Sequence, residues 1–354
     1  MTRDDSNHKP WIVLVGGFLG AGKTTLLLAA SNELKARGLR SALILNDQSE
    51  GLVDTHYASL LRHESAEVTG GCFCCKFSEL VEQMDRLRDH APDVIFAEPV
   101  GSCTDISATI LHPLRDYQNT YRIAPFTVLV DPRTAKELLR ADADLNLAFL
   151  FAKQLDEADL ICATKSDIYT EMPSLKSRAM RQLSAKTGQG VAAWLDEVLS
   201  GDLRSGSEIL EIDYEQYAQA EAALAWLNVQ VGLRESVPTS PAMILGPLLD
   251  RLDCDFTAAG IEIMHLKALI NSESGFIKAA ICGNGQEPMV EGALDASPSF
   301  RHDLLLNLRS LGRADHVQAI VESNLKSISS ELVGLRIRSF HPAPPKPERR
   351  IPRS

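Results

Sequence analysis

Residues 11–36 read WIVLVGGFLGAGKTTLLLAASNELKA, an apolar run, a glycine-rich turn and a stretch of helix-forming residues. The turn, GFLGAGKT at 17–24, matches the pattern GxxxxGK(S/T) in the strand–turn–helix context that a phosphate-binding loop requires. Its glycines let backbone N–H groups turn toward phosphate, the Lys23 ammonium neutralises phosphate oxygens, and the Thr24 hydroxyl is a ligand for Mg²⁺. The predicted nucleotide contacts in this stretch are Gly17, Gly20, Ala21, Gly22, Lys23, Thr24 and Thr25.

Further apolar runs alternate with helical patterns over the first 200 residues. They are SALILN at 41–46, VIFAE at 94–98, FTVLVD at 126–131 and DLICAT at 159–164. Nearly continuous apolar strands between helices are typical of a parallel sheet that is covered on both faces. We therefore predict an α/β fold, with a doubly wound, mostly parallel sheet as the P-loop domain, and a second, smaller α+β domain.

Composition changes along the chain predict four parts. They are a disordered tail at 1–10, the P-loop GTPase domain with its metal site at 11–205, the α+β domain at 206–340 and a Pro/Arg-rich tail at 341–354. The linker is the stretch SGDLRSG at 200–206. The last part, HPAPPKPERRIPRS, has the composition of a flexible segment.

Charge and hydropathy exclude several classes of protein. The net charge of −11 and the absence of a basic stripe argue against nucleic acid as a partner. The apolar runs are shorter than the roughly 20 residues that a membrane crossing needs, and the N-terminus lacks an apolar signal core. We expect a cytoplasmic protein whose seven cysteines are not a disulfide framework.

Two segments after the later strands indicate that the bound base is guanine. In TKSD, at 164–167, the Asp167 carboxylate can accept hydrogen bonds from guanine N1–H and the 2-amino group, a donor pair that adenine lacks. Thr164 stands where the usual NKxD motif has Asn. In SAKTG, at 184–188, the backbone N–H of Ala185 is expected to reach the base O6. Together the segments favour GTP over ATP, with the strictness left open; the predicted contacts are Thr164, Lys165, Asp167, Ser184, Ala185 and Lys186.

The segment GGCFCC at 70–75 brings three thiols within four positions. Its glycines allow the backbone to turn so that the sulfurs of Cys72, Cys74 and Cys75 converge. Three thiolates suit Zn(II), Cu(I) or Co(II) and leave a fourth position for water, a carboxylate or a partner protein. Buried apolar cysteines or a redox pair are the alternative interpretations. The remaining cysteines, which we predict to be core residues, are Cys103, Cys162, Cys254 and Cys282.

Two polar segments flank these thiols in the sequence. Glu98 ends one predicted strand and is expected to hold Mg²⁺ through water or to orient the attacking water, while the Gly101 N–H senses the γ-phosphate. Asp47, in the segment 46–50, is the Mg²⁺ or water ligand of the predicted first switch. The predicted catalytic residues are Lys23, Asp47 and Glu98, and the predicted Mg²⁺ ligands are Thr24, Asp47 and Glu98. Loss of the γ-phosphate is therefore expected to change the metal affinity of the thiols.

The motifs GGFLGAGKTT, GGCFCC, EPVG, TKSD and SAKTGQG together resemble the CobW/HypB/UreG family of P-loop GTPases, and within it the CobW-type metallochaperones. The resemblance covers about residues 12–190. It implies that Cys72, Cys74 and Cys75 are the metal ligands and that Lys165 and Asp167 serve guanine. It also implies slow GTP hydrolysis to GDP that drives the transfer of Zn or Co to a client enzyme, and a nucleotide-dependent homodimer.

Two other functions remain open at this point. One is a metal-sensing regulatory switch, in which nucleotide and metal change partner binding without any transfer. The other is a nucleotide-dependent activator of a cofactor-bearing enzyme of the corrinoid or nitrile hydratase type, in which the thiols are structural. The sequence identifies neither the client nor the physiological metal.

Overall fold

The computed structural model describes residues 8–48, 51–171, 175 and 179–352. It forms two compact units: unit 1 consists of Met1–Gln48, Ala58–Ala220 and Pro344–Ser354, and unit 2 of Ser49–Tyr57 and Glu221–Ala343. Most of the predicted N-terminal tail and residues 49 and 50 of the predicted first switch lie outside the described residues. The boundaries that we drew from composition stay predictions.

Unit 1 is built on a parallel sheet. Its strands are β1 (Trp11–Gly17), β2 (Ser41–Asn46), β3 (Glu64–Val68), β4 (Val94–Glu98), β5 (Arg122–Ile123), β6 (Thr127–Val130), β7 (Leu160–Ala163) and β8 (Met180–Gln182). Over the described residues the order is β3-β2-β4-β1-β6-β7-β8, with β5 beside the start of β1, and each pair is parallel. The chain winds outward in both directions from β1, which confirms the predicted doubly wound sheet. In such a sheet, ligands bind at the carboxyl ends of the central strands.

The helices connect and cover the strands. They are α1 (Lys23–Ala36), α2 (Val53–Leu60), α3 (Phe77–Arg88), α4 (His112–Leu114), α5 (Pro132–Leu138), α6 (Leu145–Glu157), α7 (Val191–Val198), α8 (Tyr214–Ala222), α9 (Pro241–Ala258) and α10 (Ala314–Ile328). Shorter helical turns lie at Phe73–Lys76, Ser107–Leu111 and Arg115–Tyr117. Among the helices of the described ranges, none has the length and apolar character that a membrane crossing requires.

Unit 2 is an antiparallel sheet with helices, which confirms the predicted α+β class. Its strands are β9 (Leu224–Thr239), β10 (Glu262–Ser272), β11 (Gly275–Ile281), β12 (Met289–Gly292), β13 (Ser299–Leu311) and β14 (Glu331–Phe340). Within the described chain the order is β12-β11-β10-β13-β9-β14. Alternate residues of β9, such as Leu227 and Val229, share one buried core with Leu248 of α9 and Val321 of α10.

Unit 2 also contains a segment from early in the sequence. The Val53 N–H donates to Asn307 Oδ1 of β13 at 2.8 Å, and Asn307 Nδ2 donates to the Gly51 carbonyl at 3.2 Å. Asp54 forms an ion pair with Lys267 of β10. The chain that directly follows the predicted first switch is therefore held by the sheet of unit 2.

The C-terminal tail lies against unit 1, so the prediction that it is flexible is wrong. The Ile351 N–H donates to the Ala108 carbonyl at 2.9 Å, and Arg350 Nε lies 2.7 Å from Oδ2 of the fully buried Asp105. The tail prolines restrict the backbone to extended conformations, which lowers the entropy cost of ordering it. A buried carboxylate that needs a counter-ion supplies the favourable contact.

Candidate functional site

The predicted phosphate loop joins β1 to α1. Gly17, Gly20 and Gly22 adopt φ angles of 133°, 75° and 89°, which lie in the region that favours glycine. A Cβ on Gly17 would approach the Leu129 carbonyl oxygen to 2.5 Å, so a side chain does not fit there. The loop curls around Lys23, whose ammonium donates to the Gly17 carbonyl at 2.9 Å. Ala21 lies buried inside this turn, and the backbone N–H groups at the start of α1 follow it, as an anion site requires.

Oxygen ligands for a hard cation meet beside this loop. The Thr24 hydroxyl donates to Glu98 Oε2 at 2.8 Å, and Lys23 Nζ lies 3.9 Å from Glu98 Oε1. Asp47 is buried just past β2, whose Leu45 pairs in register with Glu98 of β4. Hydroxyl and carboxylate oxygens are the donors that Mg²⁺ prefers, so this set fits the ion that accompanies a nucleoside triphosphate. Thr25, which we also predicted to contact nucleotide, is half-buried in the first turn of α1.

Gly101 lies next to the phosphate-loop lysine. A Cβ at this position would come within 3.2 Å of Lys23 Nζ and 2.8 Å of Leu19 Cδ2. A side chain here would have to displace the ends of the Leu19 and Lys23 side chains, so the glycine lets the backbone lie close to the lysine ammonium. The amide of Gln154, on α6, donates to the carbonyls of both Gly101 and Cys103, at 3.0 Å and 2.9 Å, and so fixes the course of the chain.

The predicted guanine residues follow β7 at the same edge of the sheet. Lys165 has a φ of 58°, and its ammonium lies 2.5 Å from Oδ2 of Asp131, which follows β6. Thr164 is buried and donates to the Val130 carbonyl at 3.3 Å. The Asp167 carboxylate is exposed beyond this pair. Asp131 was not among the predicted residues; an aspartate at a strand end before a proline signals a helix cap, and it also orients Lys165.

The second predicted guanine loop lies beside the first because β7 and β8 are neighbours. The Ser166 N–H donates to the Leu183 carbonyl at 3.3 Å, which ties the two loops together. Ser184 is fully buried, whereas Ala185 is half-buried and Lys186 is exposed. The structure thus brings both predicted segments to one end of the sheet, with an accessible backbone after Ser184.

The three cysteines of the CxCC motif converge. The Cys72 sulfur lies 2.7 Å from that of Cys74 and 3.2 Å from that of Cys75, and the last two sulfurs are 3.8 Å apart. A tetrahedral zinc site with Zn–S bonds of roughly 2.3 Å places its sulfurs about 3.8 Å from one another, so small shifts suffice to fit one ion. The convergence depends on a helical turn in which the Cys75 N–H donates to the Cys72 carbonyl at 2.9 Å. Cys72 and Cys74 are buried and Cys75 is half-buried.

Asn46, at the end of β2, holds this cysteine loop, a role that the sequence did not indicate. Its Oδ1 accepts a hydrogen bond from the Phe73 N–H at 2.8 Å. Its Nδ2 donates to the carbonyls of Val68 and Gly71, at 2.9 Å and 2.8 Å. One buried amide therefore makes three hydrogen bonds to the segment that carries the thiols. A polar residue that ends an otherwise apolar strand is the signal that would have pointed to it.

Cys103 is a core residue, as predicted, and it also lies beside the cysteine cluster. It is buried, and its thiol is hydrogen-bonded to both Cys72 and Cys74. The hydrogen bonds from Cys103, Cys74 and Cys75 hold the pKa of Cys72 well below its ordinary value. The hydrogen bonds of Cys74 with Cys103, Cys72 and Cys75 raise the pKa of Cys74. The hydrogen bond to Cys72 raises the pKa of Cys75 to about 11. Among these three thiols, Cys72 is the one whose pKa is lowered.

The other isolated cysteines take no part in the cluster. Cys162 is buried in β7, as predicted, and burial raises its pKa to about 12. Cys254 is exposed on α9, so its prediction as a core residue is wrong: it faces away from the apolar side of that helix. Cys282 is half-buried after β11.

The tail touches the cysteine loop at two points. The Lys346 N–H donates to the Cys75 sulfur at 3.1 Å, and the Glu348 N–H donates to the Cys74 carbonyl at 2.9 Å. The Glu348 carboxylate then accepts hydrogen bonds from the N–H and hydroxyl of Ser78, at 2.9 Å and 2.7 Å. The half-buried side of the cluster is therefore covered by the chain's own C-terminal segment.

Comparison with known proteins identifies relatives of this arrangement. The nucleotide-binding domain model of the CobW/HypB/UreG family matches residues 11–191, more than half of the chain. The zinc chaperone YjiA of Escherichia coli (strain K12) is 30% identical over 178 residues, which cover 48% of this chain and 54% of that protein. The zinc chaperone CobW of Sinorhizobium sp. is 30% identical over 217 residues, or 51% of this chain and 60% of that protein. The chain thus spans little more than half the length of these two relatives.

Similar solved structures include Zn(II)-bound YjiA GTPase from E. coli, with 15% identity, coverage of 89% of this chain and 98% of that one, and a TM-score of 0.34. HypB from Helicobacter pylori in complex with nickel is 15% identical, covers 57% of this chain and 93% of that one, and has a TM-score of 0.43.

Proposed function

The chain belongs to the CobW/HypB/UreG family of nucleotide-binding proteins, and on that premise we propose that it is a GTP-hydrolysing metallochaperone. It binds a transition metal, Zn(II) or Co(II), through Cys72, Cys74 and Cys75 and delivers it to a client enzyme. The observation that carries the proposal is the convergence of these three sulfurs, all within 4.8 Å of one another, in the unit that holds the phosphate loop. Two relatives that bear the name zinc chaperone support zinc as the metal.

Nucleotide binding begins at the phosphate loop. Backbone N–H groups at the start of α1 receive the phosphates, and Lys23, already curled over the loop, neutralises their oxygens. Thr24, Asp47 and Glu98 would hold Mg²⁺, which neutralises phosphate charge when it is bound. Asp167 accepts the hydrogen bonds of guanine, and the Lys165–Asp131 pair holds its loop in place.

Hydrolysis needs a water molecule oriented toward the γ-phosphate. Glu98 and Asp47 are the carboxylates beside the phosphate loop, and Glu98 is fixed by the Thr24 hydroxyl and by Lys23. A fixed carboxylate accepts the hydrogen bond of an attacking water and thereby directs its lone pair. Gly101 lies beside the Lys23 ammonium, where its backbone N–H would meet the γ-phosphate and so distinguish GTP from GDP.

The thiol site is suited to carrying a borderline metal. Thiolates select Zn(II) and Co(II) over Mg²⁺. The transition metal therefore binds at the cysteines, and Mg²⁺ binds at the oxygen ligands beside the phosphate loop. Coordination requires deprotonated sulfur, and Cys72 is the thiol with the lowered pKa. The client is a metalloenzyme of the cytoplasm, and a nucleotide-dependent homodimer is the form in which transfer takes place.

A metal titration tests the proposal. The reduced protein is titrated with Co(II), and then with Zn(II) in competition, in the presence of GDP and of a non-hydrolysable GTP analogue. We expect thiolate-to-Co(II) charge-transfer absorption whose affinity differs between the two nucleotides and which Cys74→Ser weakens. The matched control is Cys254→Ser, which removes an exposed thiol of unit 2.

The outcomes separate the candidate functions. Absence of thiolate coordination with both nucleotides would contradict the metallochaperone and favour the activator with structural thiols. Metal binding without transfer of zinc to any apo-enzyme or chelator would instead favour the metal-sensing switch. Lys23→Ala abolishes hydrolysis in every case and so tests only the phosphate loop.

A further inference from the structure

We propose that Cys103 is a fourth thiolate ligand of the metal site and that it connects this site to the γ-phosphate of bound nucleotide. The inference rests on the proposed metal site of Cys72, Cys74 and Cys75 and adds to it both a ligand and a means of control. It predicts that the site closes with four sulfurs in one nucleotide state and opens to three in the other.

The Cys103 sulfur lies beside the proposed metal ligands. It is buried, and it is hydrogen-bonded to the sulfurs of both Cys72 and Cys74. Cys103 thus adds a fourth sulfur beside two of the three clustered ones, and four thiolates are the ligand set of a closed tetrahedral zinc site. Three thiolates alone leave a position that water or an incoming ligand can occupy. Whether Cys103 binds therefore decides whether the metal is held or exchangeable.

The backbone around Cys103 is held by specific partners. Its own N–H donates to the Val100 carbonyl at 3.0 Å, and its carbonyl accepts the Gln154 amide at 2.9 Å. The next residue, Thr104, donates its N–H to the hydroxyl of the fully buried Tyr217 at 3.1 Å. These contacts tie Cys103 to the neighbouring backbone, so a displacement of that backbone displaces the Cys103 sulfur with it.

The other end of the same segment lies at the phosphates. Gly101 approaches Lys23 so closely that a Cβ would lie 3.2 Å from the ammonium nitrogen. Only Ser102 separates Gly101 from Cys103. A shift of the Gly101 backbone when the γ-phosphate binds or leaves is therefore transmitted through one buried residue to the Cys103 sulfur.

Zinc-edge X-ray absorption of the full-length protein counts the sulfurs directly. Zinc-loaded protein with GDP and with a non-hydrolysable GTP analogue is expected to show four sulfur ligands in one state and three plus a lighter atom in the other. Cys103→Ser is expected to show three in both states and to lower zinc affinity in the four-sulfur state by at least about tenfold. Cys254→Ser is the matched control and leaves the counts unchanged.

The outcomes distinguish this inference from the proposed function. No sulfur coordination in any state would overturn the metal site itself. Three sulfurs in both states of the unaltered protein would leave the metallochaperone intact and remove Cys103 as a ligand. Four sulfurs in both states would keep Cys103 as a ligand and overturn its link to the nucleotide. GDP binding and thermal unfolding of Cys103→Ser check that the variant is folded.

A second observation, independent of Cys103, concerns the tail. Residues 344–348 read PPKPE, and because proline lacks an N–H group this stretch has only two backbone donors, those of Lys346 and Glu348. Both are directed at the cysteine loop, one to the Cys75 sulfur at 3.1 Å and one to the Cys74 carbonyl at 2.9 Å. We infer that the tail is a strap over the cysteine cluster that must leave before metal is transferred.

The strap covers the side by which a metal leaves. Cys75 is the half-buried member of the CxCC group, whereas Cys72 and Cys74 are buried, so Cys75 marks the accessible side. Two side chains of the tail add to these backbone contacts: Glu348 accepts a hydrogen bond from Ser78, and Arg350 pairs with Asp105. A client that takes the metal through its own ligands has to displace these contacts, which keeps the metal from smaller competitors until then.

One substitution removes a single donor of the strap. Lys346→Pro deletes the N–H that meets Cys75 and suits the extended backbone between Pro345 and Pro347, while Lys346→Ala removes the same side chain and keeps the N–H. The measurement is the rate at which the zinc-loaded, GDP-bound protein loses zinc to excess 4-(2-pyridylazo)resorcinol. We expect a several-fold faster loss for Lys346→Pro and no change for Lys346→Ala. Equal rates for the two variants, or no acceleration by Lys346→Pro, would overturn the strap.

Discussion

The Oδ1 of Asn46 accepts the Phe73 N–H at 2.8 Å, so a residue at the end of a central strand fixes the turn between Cys72 and Cys74. Asp47, the next residue, is one of the proposed Mg²⁺ ligands. Asn46, the last residue of β2, thus holds the loop of the thiols, and the residue just past the strand is the proposed ligand of the nucleotide's Mg²⁺.

Asn46→Ala removes three hydrogen bonds from a buried site: the Phe73 N–H loses its acceptor, and the Gly71 and Val68 carbonyls lose the Asn46 donor, although Val68 keeps the Asp47 N–H. We expect unfolding to become easier by about 2–3 kcal/mol, and Co(II) affinity to fall because the thiols no longer converge. Urea unfolding and Co(II) titration measure the two effects.

Asn284 offers a matched control for that variant. Its Oδ1 accepts the Ile263 N–H at 2.7 Å and its Nδ2 donates to Thr257 and the Ile261 carbonyl, so it makes the same number of bonds within unit 2. Asn284→Ala should destabilise the protein to a similar extent and leave Co(II) affinity unchanged. Equal losses of metal affinity in both variants would show that Asn46 has no specific role.

Asp167→Asn tests the base. An amide presents a donor where the carboxylate accepted, so the guanine 2-amino group loses its partner, while the 2-oxo group of xanthine gains one. We expect GTP affinity to fall at least about a hundredfold and xanthosine triphosphate to bind more tightly than GTP. Asp142→Asn, in an exposed pair with Arg140, is the control. Unchanged discrimination between the two nucleotides would remove Asp167 from the base site.

Glu157 makes the stability depend on pH. Complete burial, with a smaller contribution from Asp105, raises its pKa from 4.5 to about 8. Between these values the folded protein retains a proton that the unfolded chain has lost, so the free energy of unfolding decreases as the pH rises, by at most about 5 kcal/mol. The contribution is complete below about pH 4.5 and is lost by about pH 8.

Glu157→Gln is expected to flatten this dependence and to be more stable than the unaltered protein at pH 8. The amide can keep both contacts, accepting from the Ser107 N–H and donating to the Thr104 hydroxyl. Urea unfolding midpoints at pH 5, 6, 7 and 8 measure the pH dependence of stability, and Glu137→Gln, at an exposed position, is the control. A variant with the same slope as the parent would contradict the assignment.

Arg350→Ala removes the counter-ion of the buried Asp105 carboxylate, which keeps the hydrogen bond from the Tyr214 hydroxyl. Because Arg350 is itself 30% exposed, we expect a loss of about 2–3 kcal/mol, at or below the lower end for a buried pair. Adding Asp105→Asn should restore part of the lost stability, because the amide needs no counter-ion and Asn tolerates the φ of 64° at this position. Arg349→Ala, which breaks an exposed pair with Asp116, should cost less than about 1 kcal/mol. Equal effects of the two arginines would contradict this account.

The apolar pattern predicted the central strands because both of their faces are buried. It did not predict β3, whose sequence ESAEV lies at the edge of the sheet and is partly exposed, nor β12, an exposed edge strand of unit 2. Edge strands tolerate charge and lose the alternation or apolar run that identifies a strand. In unit 2 the strands around Leu227 and Leu306 do alternate, because every second residue lies in the core.

The motifs likewise led to the residues that act through local spacing, such as Lys23 and the CxCC thiols. They did not lead to Cys103, because its contact with Cys72 joins positions 31 residues apart and depends on how β4 lies in the sheet. The tail was missed for the same reason: its composition indicates flexibility, while the carboxylate that holds Arg350 is more than 200 positions away.

The segment Ser49–Tyr57 and the tail from Pro344 mean that the chain passes from one unit to the other and back twice. A single recombination event between the two units would therefore not exchange the whole of unit 2, because part of that unit is encoded early in the chain. If residues 221–343 were replaced by those of another protein, Asp54 and Tyr57 would remain and would lose their contacts with Lys267 and Glu291. Because its partners lie in unit 2, we expect the sequence of this early segment to vary among relatives together with a sheet encoded more than 150 positions later. A substitution in one of these two parts of the chain therefore constrains which residues the other can accept.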